Sequence, residues 1–292
     1  MNKVIFILGT GHCGSTLLDL LLGSHSTAFS LGEIYTVLKR NINEPLCTLC
    51  EADCDIWTTE LRKKLIKSYN PSIYQRLISG FNLDKSTEAL FYKYIFGETG
   101  KNILIDSSKN SGWILRNGKK ISQTKNLEPI LIYLSRDGRA VVNSYYRKYP
   151  DRGLKNISEN WNKRIKSINK CYGSWDFGEK IHISYENLAT EPVKTTQEIL
   201  KMLKLDYEPE MMRFWEHNHH LVNGNAGTKS MLIRFQKEHL HKDWIKANEK
   251  GYYKNHELGI KFDERWKTEL KKKELAKIND IIAECNKDLI NE

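Results

Sequence analysis

Gly9, Gly14, Ser15 and Thr16 stand in the spacing of a phosphate-binding loop, G-x4-G-K-[ST], at every defined position except the lysine, which here is Ser15. Glycines let a chain wrap around an anion. Consecutive amide N–H groups, with the start of the next helix, then supply donors and a favourable dipole. The missing lysine removes the point charge that reaches the β- and γ-phosphates of a nucleoside triphosphate. The loop is therefore suited to another phosphate-like group, and a ligand-free glycine turn is the alternative. A second cluster reads Arg136-Asp137-Gly138-Arg139-Ala140-Val141-Val142-Asn143-Ser144. With a helix starting soon after Arg136, Arg136, Ala140 and Ser144 share one stripe at i, i+4 and i+8. A guanidinium fork and a hydroxyl separated by a small residue suit a second phosphate. The alternative is an Arg–Asp pair that caps a helix.

These residues need elements to position them. Strand-like and helix-like runs alternate, which predicts βαβ units and an α/β fold, a P-loop-like three-layer arrangement with a central, mainly parallel sheet flanked by helices. Strands are expected at 3–8, 28–31, 102–105, 128–134 and 180–184. Helices are expected from Ser15, over parts of 58–97, up to about Arg147, over 155–172, over 195–205, and as an exposed lysine-rich helix over 274–289. Residues 41–57 read as an irregular, cysteine-containing insertion and 216–230 as a long polar loop, a kind of loop that is more often functional than idle. No linker composition divides the chain, so one domain over 1–292 is expected. The polar clusters Gly9–Gly14, Glu33, Asp106–Lys109, Arg136 with Asp137, and Tyr185 all follow predicted strands, where open parallel sheets bind ligands.

Taken together, the Gly9–Leu17 loop and the Arg136…Ser144 segment resemble motifs of the PAPS-dependent sulfotransferase family, as do Tyr185-Glu186-Asn187-Leu188 with Glu191-Pro192 and, more weakly, Gly224-Asn225. Three positions depart from the family pattern: His12 replaces a Lys or Arg, Cys13 a Ser, and Gly138 a Pro. With His12 there, the loop cation is either titratable or supplied from elsewhere. The resemblance implies sulfuryl transfer from PAPS to a hydroxyl or amine, with adenosine 3′,5′-bisphosphate (PAP) as product and no metal required. It assigns Gly11, His12, Cys13, Gly14, Ser15 and Thr16 to the 5′-phosphosulfate and Arg136 and Ser144 to the 3′-phosphate. Tyr185 is placed beside the adenine and Lys229 over the nucleotide; packing and a solvated lysine are the alternatives. Ser30-Leu31-Gly32-Glu33 is similar to the Gly-Glu element of tyrosylprotein sulfotransferases, which makes Glu33 the candidate base; starting the next helix is its alternative role. Lys109 is the cation placed to stabilise the bridging oxygen. His12 competes as a catalytic group, and His25 reads more readily as structural, as His219 and His220 do as surface residues. The expected acceptor is a small soluble molecule such as a natural product or alkaloid. A protein tyrosine or a glycan is the alternative, and a P-loop kinase is disfavoured by Ser15.

Composition bounds what else the chain does. Lys+Arg number 46 against 36 Asp+Glu, a net charge of +10. Most of these cations are lysines scattered along the chain, as on an ordinary solvated surface. No nucleic-acid motif is present, so no nucleic-acid partner is expected. No run approaches the ~20 apolar residues of a membrane span, and no secretory leader is apparent. A cytoplasmic protein with no membrane partner is the expectation, with its oligomeric state open. Cys47, Cys50 and Cys54 form C-x2-C-x3-C, half of a zinc-ribbon spacing with no second pair nearby. The expectation is a structural or incidental role, with a metal or redox role as the alternative.

Overall fold

The structure, a computed structural model, describes residues 1–50, 53–69, 89–240 and 257–289. Strand β1 (Asn2–Gly9) is a buried run in which Val4 to Leu8 are wholly inaccessible. Such a run, apolar on both faces, suits the middle of a parallel sheet. It pairs with β3 (Ile103–Asp106) on one side and β4 (Leu127–Ser135) on the other, so that Ile5 faces both Ile105 and Ile130. Strands β2 (Ala28–Gly32) and β5 (Lys180–Ser184) complete the order β2-β3-β1-β4-β5, with every pair parallel.

The chain leaves β1 towards β2, then returns across β1 to reach β4 and β5. Right-handed crossovers in opposite directions place their helices on opposite faces of the sheet. Helix α1 (Ser15–Gly23) accordingly packs on β1, β2 and β3, whereas helices over Ser111–Ser122 and Leu154–Gly173 pack against β4, β1 and each other. The reversal of strand order at β1 opens a crevice beyond the carboxyl ends of the strands.

Most expected elements lie within a few residues of their predicted bounds, and β5 matches at both ends. Within the helical pattern expected over 58–97, helices cover Thr59–Tyr69 and Leu90–Thr99, and residues 70–88 lie outside the described residues. Two expectations are corrected. The 216–230 segment is a loop only to Asn225, after which a helix covers Ala226–Leu240; Asn225 caps its start by accepting from Gly227 N (2.8 Å) and Thr228 N (3.2 Å). The C-terminal helix, Lys272–Lys287, is not free-standing, because Ile278 and Ile282 are buried. Its Asn286 accepts from Gly138 N at 2.6 Å, and so grips the start of helix α2, Gly138–Lys148. Among the described residues no helix is long and apolar enough to cross a membrane.

Candidate active site at the carboxyl edge of the sheet

The loop after β1 enters α1 through Gly14, which sits in the left-handed region at φ 97° with no side chain capping the helix. A Cβ there would stand 2.6 Å from the Tyr185 ring, and one on Gly11 would collide with the Tyr145 hydroxyl. Glycine is therefore favoured at 14 by its positive φ as well as by space, while a Cβ at 11 would displace the Tyr145 ring, and the first turn of α1 lines a cavity of about 340 Å³. Gly11, His12, Gly14, Ser15 and Thr16 line it; Cys13 does not. The Cys13 side chain is fully buried, and its thiol occupies the space where a Gly9 Cβ would go.

Arg136 and Ser144 line the same cavity but on different structural footing. Helix α2 begins at Gly138, so Arg136 precedes it and the expected helical stripe is not continuous; Ala140 is buried outside this cavity. Arg136 donates from Nη1 to the His12 carbonyl (2.9 Å) and from Nη2 to the Asp263 carbonyl (3.0 Å), and it lies over the Tyr185 ring. Its Nε is buried and has no acceptor among the described residues. The Asp263 carboxylate is 3.2 Å from Arg136 Nη2 and accepts from Arg265 at 2.6 Å. Against burial, these two guanidinium groups hold Asp263 below the usual carboxylate range. Tyr185 accepts from Asp263 N (3.2 Å) and donates to the Lys261 carbonyl (3.3 Å), so it lines the cavity while clamping the 257–265 segment.

Glu33 and Lys109 line the same cavity as a pair. Lys109 Nζ lies 2.8 Å from Glu33 Oε1 and donates to the Ser107 carbonyl at 2.8 Å; Glu33 Oε2 accepts from Asn223 Nδ2 at 2.9 Å. Glu33 immediately precedes a 3-10 turn, Ile34–Leu38, without capping it through its side chain. Asp19 and Asp106, both fully buried, hold the strand ends beneath this pair. Asp19 accepts from Gly32 N (3.0 Å) and the Ser107 hydroxyl; Asp106 accepts from Ser108 N (2.8 Å), the Tyr92 hydroxyl and the Trp113 indole. Burial pushes the Asp19 carboxyl up to about 7.

His12 is a neutral side chain at pH 7 and not a loop cation. Burial, then the charges of Lys148, Arg136 and Lys109, push it down to about 4, and its Nδ1 lies 3.0 Å from the Ser144 hydroxyl. The cavity's positive charge instead comes from Lys109, Arg136, Lys148, Lys261 and Arg265. His25 lies outside the cavity, bound to the Asp206 carbonyl at 3.2 Å. Lys229 is half-buried beside the Gly224 turn and does not line the cavity, although Asn223, Gly224 and Asn225 before it do. His219 and His220 are buried, which corrects their expected surface placement.

Sequence reading missed Asn223, Asp19, Asp263 and Arg265. Asp19 sits inside an apolar helix pattern, where one buried acid is a detectable signal, whereas the 257–265 stretch follows no motif and reaches Arg136 only through the fold. The cysteines acquire a fourth member in the same way, because His220 lies against Cys47, Cys50 and Cys54.

No family model and no curated protein sequence matches the chain. Solved structures do. A sulfotransferase domain from the curacin biosynthetic pathway is 19% identical, with a TM-score of 0.55 over 97% of this chain and 98% of that one. A sulfotransferase domain from the Synechococcus PCC 7002 olefin synthase is 16% identical, with a TM-score of 0.54 over 97% and 94%. At such identities the likeness is one of fold, and it spans nearly the whole of each chain: this protein has the α/β fold of the sulfotransferase domains.

Proposed function

We propose that this protein transfers a sulfuryl group from PAPS to a hydroxyl or amine of a small soluble acceptor and releases PAP, working as one cytoplasmic domain without nucleic-acid or membrane partners. One observation carries the reading. A single cavity joins an uncapped helix start and the Arg136 guanidinium to the Glu33–Lys109 pair. The first two suit a ligand with two separated phosphate groups, and the pair suits proton removal beside a departing oxyanion.

In this reading the loop amides of 11–16 hold the 5′-phosphosulfate, while Arg136, with Ser144 nearby, receives the 3′-phosphate. That phosphate competes with Asp263 for the guanidinium. Glu33 takes the proton of the acceptor as its oxygen or nitrogen attacks sulfur. The new bond to sulfur forms as the bridging S–O bond breaks, and the electron pair leaves on the 5′-phosphate of PAP. Lys109 and the loop amides meet that charge as it develops. Asn223 fixes the rotamer of Glu33, so the base is aimed before the acceptor arrives.

The test is ligand-linked stability. PAP should raise the melting temperature far more than ATP with Mg²⁺ at equal concentration, since stabilisation follows the ratio of ligand concentration to Kd. Equal shifts, or a shift with ATP alone, would refute the sulfotransferase reading.

A further inference from the structure

The cysteine insertion lies apart from the phosphate cavity, and the fold delivers to it a group 166 residues away. Cys47 and Cys54 are buried, as is His220, while Cys50 is half-buried; their three sulfurs and one ring nitrogen all lie within 4.8 Å of one another. We propose that Cys47, Cys50, Cys54 and His220 form a tetrahedral Zn²⁺ site that fastens the insertion to the segment carrying Asn223.

The geometry favours a metal over a loose thiol cluster. His220 Nδ1 is 3.5 Å from Cys50 Sγ and 3.3 Å from Cys54 Sγ. In a tetrahedron with Zn–S near 2.3 Å and Zn–N near 2.0–2.1 Å, a sulfur and a nitrogen ligand stand about 3.5 Å apart. The donor set is soft and lacks carboxylate, as a closed structural zinc site is and a magnesium or calcium site is not. Outer contacts hold the ligands: Cys50 N donates to Cys47 Sγ (3.3 Å), Trp57 N donates to Cys54 Sγ (3.4 Å), and the Trp57 indole donates to the His220 carbonyl. Amide donors on sulfur offset thiolate charge around a bound metal. The competing partner of the imidazole, Asp55 at 3.6 Å, is 79% exposed, and an exposed ion pair of that kind holds a side chain weakly.

The consequence reaches the glutamate–lysine pair through backbone. Val222 bridges to both Cys47 and Gly32, Thr48 N donates to the Leu221 carbonyl (2.9 Å), and Glu33 N donates to the Val222 carbonyl (2.7 Å). One residue further on, Asn223 holds Glu33. A metal at this joint would clamp the insertion, the end of β2 and the 221–223 segment together.

Metal content tests the site independently of any transfer activity. Untagged full-length chain purified without chelator should carry about one equivalent of zinc, and Cys50→Ser and His220→Ala should each lower it to about a tenth or less. Exchange of Co²⁺ into the wild-type chain should give thiolate-to-cobalt charge-transfer absorption and the intense d–d bands of a tetrahedral ion, which needs no variant to fold. The proposal is overturned by wild-type chain that neither contains nor takes up the metal, by zinc that survives both substitutions, by octahedral cobalt spectra, or by a mass two hydrogens short that reveals a native disulfide among these cysteines.

Discussion

At the scale of the residue, the choice of base rests on which side chains face the cavity and what already holds them. His12 does face it, but burial and three neighbouring cations keep its ring neutral and weakly basic, with Nδ1 engaged by Ser144. His25 is buried outside the cavity and tied to the Asp206 carbonyl. Glu33 presents a carboxylate held at one oxygen by Lys109 and at the other by Asn223. Glu33→Gln should therefore lower kcat by about 10²- to 10⁴-fold, the range a positioned general base contributes, and leave PAP affinity nearly unchanged. His12→Asn should retain far more turnover than Glu33→Gln. Steady-state kinetics and PAP titration decide between them: if Glu33→Gln turns over normally, or loses turnover and PAP affinity alike, Glu33 is not the base.

At the scale of the element, α1, the end of β2 and the loop after β3 meet on Asp19. Its carboxylate takes the Gly32 amide and the Ser107 hydroxyl, which lie beside Glu33 and Lys109 in sequence. The second oxygen, Oδ1, is buried with no hydrogen-bond partner among the described residues, which fits the rise of the carboxyl from 3.8 to about 7. For a carboxyl raised on folding, the stability it contributes is complete below about 4 and is lost as pH climbs through about 7, because the unfolded chain gives up its proton first. Asp19→Asn keeps an acceptor for both donors and carries no charge. Relative to wild type, its stability should rise between pH 4 and pH 7 and level off above, by at most ~4 kcal/mol for a shift of that size. Thermal or urea melts across this range check it, and parallel curves for the two proteins would show that Asp19 does not titrate there.

At the scale of the whole molecule, the cavity is assembled from distant parts of the chain: beside the Glu33–Lys109 pair stand the four segments 11–16, 136–144, 223–228 and 259–265. These segments touch one another through a few contacts: Arg136 to the His12 and Asp263 carbonyls and the Asp263 carboxylate, Ser144 to His12, and Asn225 N to Thr16 Oγ1. A bisphosphate bound among them should slow hydrogen exchange in all four together, since ligand binding suppresses the openings that separate them. Protection confined to 11–16 would mean that PAP occupies only the loop. The net charge of +10 has a local expression here, with Lys109, Arg136, Lys148, Lys261 and Arg265 around one cavity, against Glu33 and Asp263.

The features legible in the sequence are those settled by neighbours along the chain. The apolar run of β1, the glycines of the turn and the leucine-rich α1 predict strand, loop and helix because local geometry and burial pattern decide them, and the parallel sheet follows from their alternation. Arg136, Glu33 and Lys109 are identifiable because each follows a strand, and parallel strands bring their carboxyl ends to one edge; Ser144 is identifiable from its spacing to Arg136 in a motif that resembles the family's. The tertiary structure alone decided what faces each of them. Asp263 on Arg136, Asn223 on Glu33 and His220 on three cysteines are contacts across more than a hundred residues each. No periodicity or spacing encodes such contacts, because each partner arrives on a separate element whose path is set by packing of the whole sheet. Cys13 shows the converse: its position in the loop motif placed it at the ligand, yet the turn that exposes the amides on either side points its thiol into the core.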